Sequence, residues 1–295
     1  MLSKNKIVIL TSRGGIYGQG HYKRMLLLNE YLNKSDFCES VLLCGDGCLN
    51  EKIDYDEIIR INPKLIIRDM RDSNIDEMRN LQKISKVLAV DDLGEGSILA
   101  SFQIDLLPNV NEISEHYRPD MFLYGYNFYQ ELLKIKDKNI KKIEKKDRIF
   151  VYTGFDDSLT RDVIEKILPQ NVEVLFAVNN EIFLRDKSKL NINYAEALMS
   201  SKILISHFGI MMYEADVCGC MKVAINPTKY HSSLCDKAPF KIFNMGVLGA
   251  VNLDEARQVV LELMKGEFST GVRPCEVLSV VERSLGLFGE FSGVS

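Results

Sequence analysis

The chain reads as an α/β protein built in two halves, each a parallel sheet covered by helices on both faces. Three observations predict this. Short uninterrupted runs rich in β-branched residues alternate with segments whose apolar residues recur at three-to-four spacing. Polar or acidic residues follow the ends of several runs, as in Ser12, Arg68-Asp69 and Asp91-Asp92. The alternation stops in a lysine-dense stretch at 133–148, LKIKDKNIKKIEKKDR, and then begins again.

In the first half the strand candidates are Ile7–Thr11, Ser40–Cys44, Leu65–Arg68, Val87–Val90, Leu106–Leu107 and Met121–Tyr124. Helical spacing follows His21, where Met25, Leu26, Leu28, Tyr31 and Leu32 share a face, and recurs around Asp56–Arg60 and across Ile75–Ile84. Strands that are apolar on both faces belong to a sheet buried on both sides. The lysine-dense stretch reads as a domain boundary that can itself contain a solvated helix, which puts one domain at 1–140 and a second at 146–295. The second half has strand candidates Ile149–Thr153, Glu173–Val178, Lys202–Ser206 and Lys222–Asn226. Its helical patterns fall at Leu159–Leu168, Tyr194–Ser200, Ile210–Cys218, Asp254–Lys265 and Pro274–Leu287. At 295 residues two domains are the expectation on size alone.

Composition narrows the function classes. With 37 basic against 41 acidic residues the formal charge is −4, which gives no electrostatic footprint for nucleic acid or for an anionic membrane. No run of eighteen apolar residues occurs, and the apolar part of MLSKNKIVIL is too short for a signal peptide, so a cytoplasmic protein without membrane insertion is expected. The 7 cysteines form no C-x-x-C pair or zinc-type spacing and read as reduced thiols; no metal is expected. Histidine chemistry has four candidates, at 21, 116, 207 and 231.

The segment Lys6–Arg24, KIVILTSRGGIYGQGHYKR, carries the strongest functional signal. A strand, a glycine turn and a helix start make an anion pocket, because first-turn amides have no partner within the helix and the aligned peptide dipoles favour negative charge there. Gly18 and Gly20 alone fit any βα turn, and a dinucleotide fingerprint lacks its third glycine because Arg24 stands near that slot. The distinguishing pattern is G-x-G-H-x-x-R, which sets the imidazole of His21 beside the anion. Two further strand–turn–helix units, Val151 to Asp157 with Gly154 and Ile205 to Ile210 with Ser206 and Gly209, also have the look of anion sites.

Several motifs in this order resemble the UDP-sugar hydrolases of pseudaminic acid biosynthesis, relatives of MurG-type glycosyltransferases. They are the Gly18–Arg24 turn, Val87 to Asp92, Asp105 to Asn111, Gly125 to Phe128, the Ile149–Gly154 strand with Asp156, and the Ile205 to Ala215 run ISHFGIMMYEA. The resemblance implies two Rossmann-like domains facing a cleft (the GT-B fold). It also implies metal-independent, inverting hydrolysis of a UDP-linked diacetamido-trideoxyhexose to UDP and free sugar, with no cofactor. By the same resemblance His21 matches the catalytic histidine, and Gly209, Ile210, Met211 and Glu214 lie in the segment that holds the nucleotide diphosphate and ribose. Ile210 and Met211 stand where the family commonly has small hydroxyl residues, and Asp69-Met70-Arg71 stands where it has Asp-His-Tyr.

The residues leave open roles beside these. His21 is suited to take a proton from the attacking water, with UDP leaving as a stabilised anion. Asp91 and Asp92 are placed to orient sugar amides or to help the histidine, or else to cap loop amides. Asn109 and Asn111 suit N-acetyl groups or ordinary turns. Gly18, Gly20, Arg24 and Asp69 fall on the sugar side; Gly154, Ser206, Gly209, Ile210, Met211 and Glu214 fall on the nucleotide side. Glu214 suits ribose hydroxyls or a plain helix surface, and His207 suits a base or phosphate contact or a satisfied loop. Three rival readings remain. They are a GT-B glycosyltransferase, a non-catalytic nucleotide-sugar-binding module of a surface-glycan pathway, and a dinucleotide site using Gly18, Gly20 and Asp46. Oligomeric state is not legible.

Overall fold

The computed structural model describes residues 4–13, 19–45, 52–108, 115–153, 158–178, 181–266 and 271–291. Gly18, Asp46, Asn109, Asn111, Gly154 and Asp156 therefore lie outside the described residues. The chain divides into two compact units, Met1–Tyr126 with Val281–Ser295, and Asn127–Val280.

The first unit holds β1 (Asn5–Ser12), α1 (Gly20–Asn33), β2 (Cys38–Gly45), α2 (Tyr55–Ile61), β3 (Leu65–Asp69), α3 (Ile75–Ile84), β4 (Lys86–Val90) and β5 (Phe102–Ile104). Its five strands are all parallel in the order β2-β1-β3-β4-β5. Successive strand residues point to opposite faces. On one face Val8, Leu10, Ile66, Val87 and Ala89 pack against Ile58 of α2 and Met78 and Leu81 of α3. Those two helices start where the side chains of Asp54 and Asn74 accept from the Glu57 and Glu77 amides, each at 2.9 Å.

Two expected strands are not strands. The Leu106 and Leu107 amides donate to Asp91 Oδ1 at 2.7 and 2.9 Å, which takes them out of any ladder. Met121–Tyr124 is a buried irregular segment whose Phe122 amide donates to the Ser284 hydroxyl at 2.9 Å, so its apolar character reflects burial without sheet pairing.

The second unit takes in most of α4 (Tyr126–Asp137), then β6 (Ile143–Glu144), β7 (Lys146–Tyr152), α5 (Ser158–Ile167), β8 (Glu173–Val178), β9 (Glu181–Leu184), β10 (Lys189–Leu190), α6 (Tyr194–Ser200) and β11 (Ser201–Ser206). It continues with α7 (Ile210–Val217), β12 (Met221–Asn226), α8 (Lys229–Lys237), β13 (Phe243–Val247), α9 (Leu253–Lys265), β14 (Gly271–Val272) and α10 (Pro274–Phe291). From Val281 onward α10 belongs to the first unit.

The larger sheet runs β10-β9-β8-β7-β11-β12-β13; β9 and β10 are antiparallel, and β14 with β6 forms a separate pair. Its core joins Ile149, Val151, Ile203, Ile205 and Val223 to Ile164 of α5 and Val260 of α9. α4 forms despite the lysines that follow it because Phe128, Tyr129, Leu132 and Ile135 are all buried, and a fully buried large apolar side chain contributes about 1.5–3 kcal/mol.

In both sheets the strand order reverses next to the sheet's first strand in the chain, between β1 and β3 and between β7 and β11. Ligands of open α/β sheets bind beyond the carboxyl ends of the strands at such points. Thr11 pairs with Asp69 across the first reversal, and Tyr152 pairs with Ser206 across the second.

Candidate functional site

In the first unit, His21 lies one residue into α1, whose N-cap residue Gln19 makes no side-chain cap and whose first turn has no acid. The His21 ring is 22% exposed, and its Nδ1 sits 2.6 Å from Oδ1 of Asp69, which is fully buried at the end of β3. Arg24, one turn along α1, grips the same carboxylate, donating from Nε to Oδ2 and from Nη2 to Oδ1, both at 2.6 Å. Arg24 Nη2 also lies 2.7 Å from Asp91 Oδ2. Burial pushes the Asp69 carboxyl up, but Arg24 and His21 pull harder and hold it well below the usual carboxylate range. Burial likewise disfavours the Arg24 charge, and Asp69 and Asp91 outweigh it, so the guanidinium stays charged.

This fixes the tautomer. An ionised carboxylate only accepts, so Nδ1 carries the proton and Nε2 of the neutral ring is the basic nitrogen. Arg24 Nη2 is 3.3 Å from Nδ1, a meeting of two donors that makes no hydrogen bond in this state. The structure thus joins His21, expected as the base, to Arg24, Asp69 and Asp91, expected around the sugar. Asp69, expected on the sugar side, is fully buried, with its carboxylate against His21 and Arg24.

Asp92 belongs to a different cluster. Its Oδ2 accepts from Arg68 Nη1 at 2.9 Å, and its Oδ1 accepts from the Ser73 and Gly94 amides at 2.9 and 3.0 Å. Both oxygens are occupied, which matches the loop-capping alternative and leaves none directed at the histidine. Arg68 is fully buried and also donates from Nε to Glu77 of α3 at 2.8 Å, while Arg71 reaches the other Glu77 oxygen at 2.5 Å. Neighbours on β3 explain the division, because Arg68 faces the α2–α3 side and Asp69 the α1 side. Asp91 takes a positive φ of 50° and turns its carboxylate to the Leu106 and Leu107 amides and to Arg24. Gly94 is demanded by packing, since a Cβ there would meet the Ser73 carbonyl oxygen at 2.1 Å.

In the second unit, Ser206 ends β11, and its Oγ is buried with no partner among the described residues. The Phe208 amide is held by Asn226 Oδ1 at 2.9 Å. Gly209 is the N-cap of α7, without a side-chain cap, and Ile210 and Met211 open the helix. Glu214 is buried and accepts from the Tyr194 hydroxyl at 2.6 Å. Burial first, then the Glu214 charge, raises the Tyr194 phenol well above its ordinary range, so it remains a donor. Glu214 is thus engaged inside the unit rather than lying on a helix surface.

His207 and His231 meet edge to face with ring centroids 6.1 Å apart. Burial, then the neighbouring His231, lowers the His207 pKa from 6.5 to about 4; burial also lowers that of His231. Tyr194 and Asn226 escaped the sequence reading, and Arg68 and His231 were noted there without a role. An arginine inside the apolar run LIIRD is a signal for the buried Arg68 cluster. Among the described residues no group of three or more His, Cys, Asp or Glu is placed to hold a metal, and no helix is long and apolar enough to cross a membrane.

No protein-family model matches the chain, and the comparison with curated proteins gives no match. Solved structures match along nearly its whole length. The MnaA structure of S. aureus with UDP is similar at a TM-score of 0.58 and 10% identity, covering 99% of this chain and 98% of that one. A UDP-GlcNAc 2-epimerase from Neisseria meningitidis bound to UDP-GlcNAc is similar at 0.56 and 11%, covering 98% and 100%. The spinosyn rhamnosyltransferase SpnG is similar at 0.51 and 9%, covering 94% and 95%. At such identities the likeness is one of fold, and the expected Rossmann-like α/β architecture of the GT-B kind is the fold this chain shares with them.

Proposed function

We propose that the chain hydrolyses a UDP-linked sugar, in the first instance a diacetamido-trideoxyhexose, with His21 as general base. The observation that carries this is the His21–Asp69–Arg24 arrangement. A partly exposed imidazole at a helix start has its Nδ1 proton fixed on a buried carboxylate, and that carboxylate is clamped by a buried guanidinium. Nε2 is left to take a proton from water.

As water attacks the anomeric carbon, the new carbon–oxygen bond forms and the bond from that carbon to the diphosphate oxygen breaks. UDP leaves with the electron pair, and the water proton passes to Nε2. The imidazolium so formed is stabilised by Asp69 through Nδ1–H, so charge develops where a fixed counter-charge already stands. Asp69 is a positioning residue, and Arg24 prevents its carboxylate from turning away. The nucleotide is assigned to the second unit, to the β11–α7 turn with Ser206, Gly209, Ile210 and Met211. Neighbours solved with UDP and with UDP-GlcNAc support the choice of nucleotide; the choice of sugar rests on the motif resemblance.

The test is UDP release from the UDP-linked diacetamido sugar and from UDP-GlcNAc without any acceptor. Release by the wild type, falling about 10²–10⁴-fold in His21→Gln with UDP binding kept, is the expected result. Unaltered turnover in that variant removes His21 from the mechanism. Release only when an acceptor is added selects a glycosyltransferase, and UDP binding without turnover selects a binding module.

A further inference from the structure

We propose that His207, backed by His231, is the diphosphate-recognising residue of the second unit and takes up a proton when the ligand binds. This rests on the nucleotide reading above and goes beyond it. The first turn of α7 offers no side-chain polar group, because it opens with Gly209, Ile210 and Met211, has no side-chain cap and holds no acidic residue. Backbone amides alone would meet an anion there.

The nitrogen beside that turn belongs to His207. A Cβ built on Gly209 would lie 3.9 Å from His207 Nε2, with no other contact within 4 Å among the described residues. The loop is stationed by the Asn226 bond to the Phe208 amide at 2.9 Å, and Asn226 is in turn held by Asn244 Oδ1 at 3.1 Å. Next to His207 in the chain, the buried Ser206 Oγ has no partner among the described residues. A buried hydroxyl in that state has lost its water without gaining a partner, and a ligand oxygen would supply one.

His231 completes the arrangement from the first turn of α8. The Thr228 Oγ1 accepts from the His231 amide at 3.3 Å and stands 2.7 Å from His231 Nδ1. The Thr228 hydroxyl thereby engages Nδ1 and leaves Nε2 as the other ring nitrogen of His231.

Among the described residues, the groups around His207 set the direction of the coupling. From α8 comes His231, which opposes a second positive charge; from the end of β7 comes the Thr153 backbone, which favours it; the first turn of α7 brings no charge. Lys229, on the first turn of α8, is exposed. With burial added, the ring is neutral near pH 7 in the unliganded chain. A diphosphate supplies the negative charge that is missing and reverses this balance. Binding therefore draws in a proton, and affinity rises as pH falls.

The test is calorimetric titration of the full chain at pH 5.5 and 8.0, each in two buffers of different ionisation heat. The probes are UDP-GlcNAc, whose diphosphate diester does not titrate near neutrality, together with UDP and uridine; a terminal phosphate ionises near pH ~6 and would add its own proton. The expected result is UDP-GlcNAc binding about tenfold tighter at pH 5.5, with proton uptake approaching one per site, and uridine binding that ignores pH. His207→Gln should weaken UDP-GlcNAc about tenfold at pH 5.5 and abolish the pH dependence, with uridine unchanged. Binding of UDP or UDP-GlcNAc to the wild type without proton uptake, or unchanged in His207→Gln, overturns the inference and leaves the nucleotide reading standing. Failure of both nucleotides to bind at any pH overturns that reading, and this inference with it. The wild-type proton count needs no variant, so misfolding of His207→Gln would not spare the proposal.

Discussion

His21 and His207 stand at matching places in their own units, each beyond a strand at a reversal of strand order, yet their surroundings prepare them for opposite tasks. His21 has a buried carboxylate on Nδ1 at 2.6 Å, so a proton gained at Nε2 is compensated at once. Among the described residues His207 has no carboxylate among its influences. It has a second imidazole and a low-dielectric wall, so a proton gained there stays uncompensated until an anion arrives. The first arrangement suits a base that must accept a proton with no partner other than water and sugar. The second suits a receptor whose charge is supplied by its ligand.

The largest effect should come from breaking the first arrangement. Asp69→Asn keeps the shape but leaves Arg24, 3% exposed, with its main counter-charge gone. Removing one partner of a buried pair typically costs about 3–5 kcal/mol. Denaturant unfolding should register that loss, and turnover should fall along with it because the amide no longer fixes the histidine tautomer. A variant that turns over normally would detach Asp69 from His21. Arg68→Met is the matched control on the other face of β3. It takes the Arg68 counter-charge from Glu77 and Asp92, which keep Arg71 and the Ser73 and Gly94 amides, and should cost about 3 kcal/mol, while KM and kcat measured well below the melting transition stay near wild type. A large fall in kcat would mean that the two clusters are coupled.

Most of the elements that build the two sites were legible, because β1, β3, β11, α1 and α7 lie in strongly periodic parts of the chain. The helix across Ile75–Ile84 and the strand Glu173–Val178 fall where the pattern puts them. What failed were segments whose apolar residues are buried without a regular partner, such as Met121–Tyr124, and elements that are amphipathic but short or polar, such as α8 and β13. Within the site, His21 and its G-x-G-H-x-x-R setting could be read, because glycine and histidine at a helix start carry local meaning. The Asp69 contact with it could not, since 48 residues separate the two. Asp91 and Asp92 illustrate the limit. Adjacent in sequence, they serve opposite faces, and no local pattern states which carboxylate meets Arg24 and which meets Arg68.

The comparison also predicts a pH signature in the second unit. The unfolded His207 takes a proton near its ordinary value of 6.5, and the folded one refuses it until about pH 4. Unfolding therefore binds a proton inside that window. The His207 contribution is fully present above pH 6.5 and is lost as pH falls toward 4. With partial exposure discounted, it amounts to about 2 kcal/mol. Denaturant unfolding of wild type and His207→Gln at pH 7.5 and 4.5 should show the variant losing less stability on acidification by about that amount. Equal losses would mean that His207 is not held neutral by the fold.

The smallest expected effect tests the support behind His207. Thr228 caps α8 by accepting from the His231 amide at 3.3 Å, and its hydroxyl lies 2.7 Å from His231 Nδ1. Thr228→Val keeps the shape and removes both bonds, and loss of a cap of this kind costs about 1 kcal/mol. The loss of cap should appear as a modest fall in melting temperature. The loss of the Nδ1 partner should appear separately, as a change in the Nδ1 nitrogen shift of the His231 ring. His21, held by a carboxylate in the other unit, should show no change in the same spectrum. A change in ring nitrogen shift at His231 without one at His21 is what two independently buttressed imidazoles require, and a concerted change at both would contradict it.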